Sequence, residues 1–392
     1  MQLVRLISSL AVLCLIVSIA ATPASSEPLH LILPTSNDAL LRDDGPAFFQ
    51  YTDRTFDGVR SRPWEGGQYG FVRNPRHTSA GIVFTRFHEG VDIKPIHRDG
   101  RGEPLDTVRT IDDGYVVYVN NVEGLSSYGK YVVVEHWWSG SPFYSLYAHL
   151  NAVHVSAGDQ VYQGDRLGRL GYTGRGLNKR RAHLHFEINM MLNESFGDWY
   201  EGQYRARNRH DVYNGINLSG LDVADLYISL QRNPWLTIDE FILSQEAFFK
   251  VAVPASGPLD IAYRYDWLNS KPNPPESEVS TWEISLTASG LPVRVEPSSR
   301  SISKPVVTAV ARSPVSYGYV TNGRLAGSGD KYHLSRSGER YAELLMLTYP
   351  DRLLVRRERP VEVEDRHRQV VDRGRSVIRE VSDSDTERLR SW

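Results

Sequence analysis

Between Gly81 and about Ile188, short runs of apolar, β-branched and aromatic residues alternate with turn-forming residues. Runs of this kind, separated by Gly, Asn, Asp and Ser, are typical of β-strands in an antiparallel sheet. Turn signals within 157–168 flank further short strands. The pattern predicts four main strands, at Tyr115–Val119, Lys130–His136, Phe143–His149 and Ala182–Ile188. We therefore expect a compact antiparallel β-sheet domain within a mainly β protein.

The last of these runs has a polar residue at every second position. The period of two in a strand places His183, His185 and Glu187 on one face and three apolar residues on the other. Two histidines so placed bind one ion together, or one binds an ion while the other acts on substrate. The alternative is a surface strand whose histidines are incidental. Glu187 is placed to orient a histidine ligand from behind.

A second polar pair lies near the start of the β region. His88 and Asp92 are four residues apart, so an extended segment presents both side chains on one face, and Gly90 permits a tight path between them. The alternative is an exposed histidine and aspartate at a strand edge. A third element, His149, ends an apolar strand, where a lone histidine is more often structural. His97, His136, His154 and His210 have no companion at ligand spacing, and we predict no site role for them.

The rest of the chain divides into segments of different composition. Asp222–Leu230 has apolar residues at helical spacing, with Ser219 as the predicted N-cap, whereas 193–217 shows no clear period. The predicted organisation is a signal segment at 1–26, a lead-in at 27–80 that packs on the β domain at 81–232, a β-rich, sandwich-like C-terminal domain at 233–359, and a charged tail at 360–392. Candidate C-terminal strands lie near Phe241–Val251, Trp282–Thr287, Val306–Ala311 and Leu344–Leu347.

The N-terminus combines Arg5, an apolar run and small residues, which indicates a secretory signal peptide cleaved after Ala24 or Ser26. An uncleaved membrane anchor is the alternative, although the run is short for a span of about 20 residues. Cys14, the single cysteine, lies in this run. The exported chain then has no disulfide, so packing or a metal must stabilise it. A net charge of −2 provides no bulk attraction to nucleic acid or to an anionic membrane.

A catalytic zinc site uses three protein ligands and keeps one position open, and without cysteine those ligands must be His, Asp or Glu. With these histidine and aspartate residues, the chain resembles the LytM/lysostaphin-type zinc endopeptidases, which cut peptide bonds in bacterial peptidoglycan. Five motifs between about Arg86 and Ile188 occur in the family's order, and together they are highly specific. They are His88-x-Gly90-x-Asp92, Tyr147-Ala148-His149-Leu150, Gly158-Asp159-x-Val161-x-x-Gly164, Gly168-x-x-Gly171-x-Thr173-Gly174 and His183-Leu184-His185-Phe186-Glu187.

The resemblance implies that His88, Asp92 and His185 bind one zinc ion per chain, and that His149 and His183 are unligated catalytic histidines. It implies an exported enzyme, periplasmic or associated with the cell wall, that hydrolyses peptide cross-links or stem peptides of peptidoglycan. We expect no nucleic-acid partner and no stable membrane insertion after signal cleavage. The segment 174–182 is longer and more basic than its counterpart in the family and lacks a proline, which leaves substrate preference open.

Two other functions fit parts of the sequence. One is a catalytically inactive LytM-like protein that binds peptidoglycan or regulates another hydrolase; such proteins typically lack a ligand, whereas the set here is complete. The other is a lipoyl- or biotin-carrier or sugar-phosphotransferase domain, in which the turn pattern at 158–168 also occurs. That reading requires a cytoplasmic protein, which the signal peptide disfavours. The C-terminal domain binds the wall or a protein partner, or simply covers the β domain.

Overall fold

The structure, a computed structural model, describes residues 27–272, 274–275 and 278–348. The predicted signal segment 1–26 and charged tail 360–392 lie outside the described residues. Across the part that is described, no helix is both long and apolar enough to cross a bilayer.

Strands dominate the described residues. They are β1 (Arg54–Phe56), β2 (Val59–Ser61), β3 (Gly70–Thr78), β4 (Gly81–His88), β5 (Val91–Ile93), β6 (Thr107–Arg109), β7 (Gly114–Asn120), β8 (Lys130–Trp138), β9 (Ser141–Leu150), β10 (Ala152–Val153), β11 (Gln160–Val161), β12 (Arg166–Arg169), β13 (Leu184–Met191), β14 (Leu218–Gly220), β15 (Phe249–Pro254), β16 (Thr281–Leu286), β17 (Pro292–Ser298), β18 (Val306–Val310), β19 (Leu325–Ser328) and β20 (Lys331–Leu334). The helices are α1 (Gly45–Phe48), α2 (Phe196–Gln203), α3 (Val223–Arg232), α4 (Ile238–Leu243), α5 (Asp260–Arg264), α6 (Tyr317–Val320) and α7 (Arg336–Leu345).

The main sheet has seven antiparallel strands in the order β11-β7-β8-β9-β13-β14, with β5 also pairing with β13. The four strands predicted from sequence form β7, β8, β9 and β13, so this part of the prediction is confirmed. All eight residues of β13 are buried, including those on its polar face. The polar face therefore lies inside the molecule, where its groups need partners.

The segment before the main sheet is built into the same structure. The hairpin of β3 and β4 pairs Gly70 with His88, and Phe49 forms a bridge with Ile93 of β5. Phe48 and Phe49 belong to the same contiguous hydrophobic core as Phe186 of β13. The lead-in thus packs against the strands that carry His88 and Asp92.

The C-terminal region contains a four-stranded antiparallel sheet in the order β17-β16-β15-β18, together with the hairpin of β19 and β20. Its core is continuous with that of the main sheet. Arg264 of α5 is buried and bonds to the carboxylates of Asp260 and Glu194, at 2.6 and 2.7 Å, which ties α5 to the segment that follows β13. The mainly β fold class expected from sequence is confirmed.

Three local predictions are wrong. Ser219 lies in β14, and the N-cap of α3 is Asp222, whose carboxylate accepts the backbone N–H of Asp225. Residues 241–243 are the end of helix α4 rather than strand, because a capping box of Thr237 and Glu240 initiates a helix there, and β15 begins only at Phe249. Residues 344–347 are not a strand, since Leu344 and Leu345 end helix α7, whose apolar residues recur at helical spacing.

Candidate active site

Three side chains from separate elements converge at one point. His88 ends β4, Asp92 is the middle residue of β5, and His185 lies on β13 directly opposite Asp92. Asp92 Oδ1 lies 3.1 Å from both His88 Nε2 and His185 Nδ1, and the two nitrogens are 3.0 Å apart. All three residues are buried, and their donor atoms form a group that could hold a metal ion. The alternative of an exposed histidine and aspartate at a strand edge is thereby excluded.

Each of the three side chains is held from behind by its other polar atom. The Nδ1–H of His88 donates to the carbonyl oxygen of Gln68 at 2.7 Å. Arg73 Nη2 donates to Asp92 Oδ2 at 2.6 Å, and the Nε2–H of His185 donates to Glu187 at 2.6 Å. A carbonyl oxygen only accepts, so the bond to Gln68 leaves His88 Nε2 with a free lone pair, which is the form that binds a metal.

Glu187 holds His185 through a network in which both of its carboxylate oxygens accept hydrogen bonds. Its Oε1 accepts from both His185 and the hydroxyl of Tyr128, the latter at 2.8 Å, and its Oε2 accepts from Asn189 at 3.0 Å. Glu187 is 1% exposed, so this carboxylate acts inside the core rather than from the surface. The geometry matches the orienting position expected for Glu187 and adds Tyr128, for which the sequence carried no motif.

The buried charges shift the pKa values of the site. Burial alone would raise the pKa of Asp92, but the neighbouring His183, His88 and Arg73 outweigh it and hold that pKa well below its usual value. Burial also opposes protonation of His185, yet its bonds to Asp92 and Glu187 raise its pKa to about 10. An ion bound at Nδ1 of His185 would therefore displace a proton.

Close backbone packing at Gly90 brings Asp92 on β5 next to His185 on β13. Gly90 separates β4 from β5 and passes so close to β13 that a Cβ there would lie 2.3 Å from the carbonyl oxygen of Phe186. Only glycine fits this approach, which lets Asp92 pair directly with His185. The tight path predicted at Gly90 thus has a steric cause.

His149 and His183 lie beside the three converging residues. Their rings are 4.7 Å apart between centroids, and the ring of His149 is 5.8 Å from that of His185. The Nδ1–H of His149 donates to Thr173 at 2.9 Å, and that of His183 donates to Arg181 at 2.7 Å. With Nδ1 bound to a backbone carbonyl, each ring has its Nε2 left for other partners, and His183 Nε2 lies 3.3 Å from Asp92 Oδ1.

His149 reaches this position through an irregular backbone. Between the pairs Lys130–Leu150 and Val132–Tyr147, β9 has two residues where β8 has one, so Ala148 and His149 form a β-bulge. His149 has a positive φ of 62°, which is uncommon for a non-glycine residue. Burial, followed by the charges of His183 and His185, holds the pKa of His149 well below its ordinary value, which favours the neutral ring.

The site opens into a groove with a cavity volume of about 1190 Å³. Its walls come from the β1 and β3–β4 segments, from the basic loop at 175–181, and from C-terminal residues such as Arg324 and Arg340. Among the other histidines, His136 bonds to Ser145 in the core, His97 is exposed beside Asp106, and His210 bonds to Tyr131 at the edge of the groove.

The region around this site is similar to a peptidase family. Residues 86–196 match the model of peptidase family M23, which includes the LytM/lysostaphin-type endopeptidases, so the resemblance seen in the motifs is confirmed. The match covers about a quarter of the chain.

Two curated relatives are similar to part of the chain. The chain is 37% identical over 156 residues to the peptidoglycan DD-endopeptidase ShyA of Vibrio cholerae, covering 38% of this chain and 31% of that protein. It is 30% identical over 116 residues to a lipoprotein NlpD/LppB homolog of Pseudomonas aeruginosa, covering 28% and 34%. The chain therefore spans about a third of the length of these two relatives. A solved zinc-containing peptidase from Vibrio cholerae is 27% identical and covers 36% of each chain, with a TM-score of 0.23.

Proposed function

We propose that this chain is an exported zinc metalloendopeptidase that hydrolyses peptide cross-links or stem peptides of bacterial peptidoglycan. The observation that carries the proposal is the convergence of donor atoms from His88, Asp92 and His185, each fixed from behind by a second bond. Two imidazoles and one carboxylate suit Zn²⁺ and leave a coordination position for water or substrate. When bound, the ion lowers the pKa of water and polarises a carbonyl group.

The protein's own contribution is positioning and proton transfer. His149 and His183 line the groove, each with its Nδ1 tied to a backbone carbonyl and its Nε2 left to exchange a proton. One of them accepts the proton of the attacking water, and the other stabilises the oxyanion or protonates the leaving amine. Both rings are locked in one tautomer, so no reorientation is needed before the proton moves.

In this proposal residues 81–232 form the peptidase domain, 27–80 pack on it, and 233–359 form a C-terminal β-rich domain. Contacts in the structure support functional roles for the flanking parts. Gln68 and Arg73 from the 27–80 segment hold His88 and Asp92, and Arg324 and Arg340 from the C-terminal part line the groove.

The test combines metal analysis with digestion of purified peptidoglycan. We expect about one zinc per chain, loss of hydrolysis on chelation, and recovery on adding zinc back. Mass spectrometry of the released muropeptides would identify the bond that is cut. Zinc binding without release of any muropeptide would contradict the proposed peptidase activity and favour the inactive LytM-like alternative. N-terminal sequencing of exported protein tests the signal segment, and a chain that still starts at Met1 would contradict cleavage.

A further inference from the structure

The groove carries far more positive charge than the chain as a whole. The net charge of the protein is −2. The carboxylates that line the groove are those of Asp53, Glu89 and Asp92. Against these three, the lining includes eight arginines: Arg54, Arg73, Arg76, Arg86, Arg175, Arg181, Arg324 and Arg340. A groove lined by one sign of charge concentrates ligands of the opposite sign.

Most of these arginines have no carboxylate partner within the described residues. Arg73 pairs with Asp92 and Arg181 with Asp53, at 2.6 and 3.8 Å. Arg54 instead donates to the carbonyl oxygen of Val72 at 3.1 Å. The ion pairs found in that part of the chain therefore do not neutralise the groove.

The arginines of the C-terminal part are held in place without being neutralised. Arg340 lies over the ring of Tyr204 at 4.9 Å and donates to the carbonyl oxygen of Gln203. Arg324 lies over the ring of Tyr341 at 4.1 Å and donates to the carbonyl oxygen of Ser289. Ring and carbonyl contacts fix a guanidinium but leave its charge and several N–H groups for a ligand.

Arg86 and Arg175 stand at other points of the groove wall. Both side chains are exposed, and for neither is a side-chain hydrogen bond or ion pair found in the described part of the chain. Arg175 belongs to the basic loop beside His183, the segment in which the sequence departs from the family pattern. The unpaired charges thus occur on the β4 side, on the loop side and on the C-terminal side of the site.

We propose that the groove selects peptides that carry several free carboxylates, and that the C-terminal part supplies some of the selecting arginines. The inference rests on the proposed function and names the substrate class within it: acidic stem peptides rather than amidated ones or neutral glycine bridges. A guanidinium presents a planar pair of N–H groups that matches a carboxylate. Nucleic acid is the disfavoured anion, because the net charge of −2 provides no attraction for it outside the groove.

The experiment compares two synthetic cross-linked peptides that differ only in whether their carboxylates are free or amidated. The full chain, loaded with zinc, is expected to have a kcat/KM about tenfold higher for the free-acid peptide at about 50 mM salt, and a smaller preference at high salt. In R175Q/R340Q the preference should fall through a higher KM with kcat retained. R175K/R340K should keep part of it, because lysine retains the charge but not the planar pair of N–H groups. The control R232Q removes an exposed arginine outside the groove and should leave it unchanged.

Binding separates this inference from the proposed function. Fluorescence anisotropy of the labelled free-acid and amidated peptides is measured on H185A, whose fold is checked by circular dichroism. If H185A bound the free-acid peptide preferentially but the wild type hydrolysed neither peptide, the groove's selectivity would be supported and the proposed peptidase activity contradicted. Hydrolysis of both peptides at equal kcat/KM would overturn the groove inference and leave the peptidase standing. Tighter binding of a single-stranded oligonucleotide than of the acidic peptide would also overturn it.

Discussion

Replacing Glu187 by glutamine would test how far the carboxylate behind His185 supports the proposed metal site. Glutamine keeps the shape of the side chain and one acceptor oxygen, so the bonds from His185 and Tyr128 to that oxygen can persist. Its amide nitrogen then faces the side chain of Asn189, whose Oδ1 is buried without a partner in the structure. A flip of the Asn189 amide would provide an acceptor for this nitrogen, while Asn189 Nδ2 would give up its 3.4 Å bond to Tyr144 and take the position where Oδ1 has no partner.

The size of the effect follows from the loss of the carboxylate charge. A hydrogen bond to a charged group contributes about 1.5–3 kcal/mol, against about 0.5–1.5 kcal/mol for a neutral one. The difference of about 1–1.5 kcal/mol corresponds to about a tenfold weaker hold on zinc. This value lies at the lower end of the roughly 10–100-fold losses typical when the partner of a metal-binding histidine is removed.

Zinc affinity of E187Q would be measured by competition with a chromogenic chelator, at fixed pH because binding releases protons. The matched control is E296Q, which makes the same charge change where Glu296 pairs with Lys250 in the C-terminal sheet. We expect the control to bind zinc as the wild type does. If E187Q also bound zinc with unchanged affinity, the carboxylate would not strengthen His185 as a donor, and the reasoning would be refuted.

Three further predictions follow from individual contacts. H149A should retain zinc but lose turnover by about 10²–10⁴-fold, whereas H88A should lose the metal itself; elemental analysis beside a hydrolysis assay checks both, and full turnover by H149A would contradict its role. Burial lowers the pKa of His136 to about 4, below the value of about 6.5 for an unfolded histidine, so the unfolded chain binds the proton more tightly. Its contribution is present above about pH 6.5 and lost as pH falls toward 4, so urea unfolding without metal should show wild type losing about 2 kcal/mol more than H136Q between pH 7 and 5. G90A should lower the free energy of unfolding by about 1–3 kcal/mol, because its Cβ would meet the carbonyl of Phe186; an unchanged urea midpoint would contradict this.

Four strands of the main sheet could be predicted because runs of apolar, β-branched and aromatic residues alternate there with turn-forming residues. The run at 182–188 indicates both a strand and a polar face, and β13 has both. Local pattern was insufficient where two or three apolar residues stand together. Leu344 and Leu345 are the end of a helix whose buried face includes Tyr341 and Ala342, and a short window cannot distinguish such an end from a strand.

The groups behind the candidate ligands could not be found from sequence for a different reason. Gln68 contributes only its backbone carbonyl, so its side-chain type carries no signal. Arg73 reaches Asp92 because β3 pairs with β4, a contact set by hairpin register rather than by a motif. Tyr128 meets Glu187 across 59 positions of chain, through a loop with no regular period.

The orientation of the His149 side chain is set by the fold and could not be predicted from the motif. In a regular pairing with β8, residues 148 and 149 would point to opposite faces of the sheet, and the orientation of His149 would follow from strand parity alone. The bulge gives β9 an extra residue at this point, and the positive φ of His149 turns its side chain while Nδ1 bonds to Thr173. A non-glycine residue in this conformation costs of order 1–3 kcal/mol, which the packed surroundings must offset. If the bulge aims His149, inserting one residue in β8 beside Tyr131, which restores one-to-one pairing, should abolish turnover while the three donor residues keep their zinc.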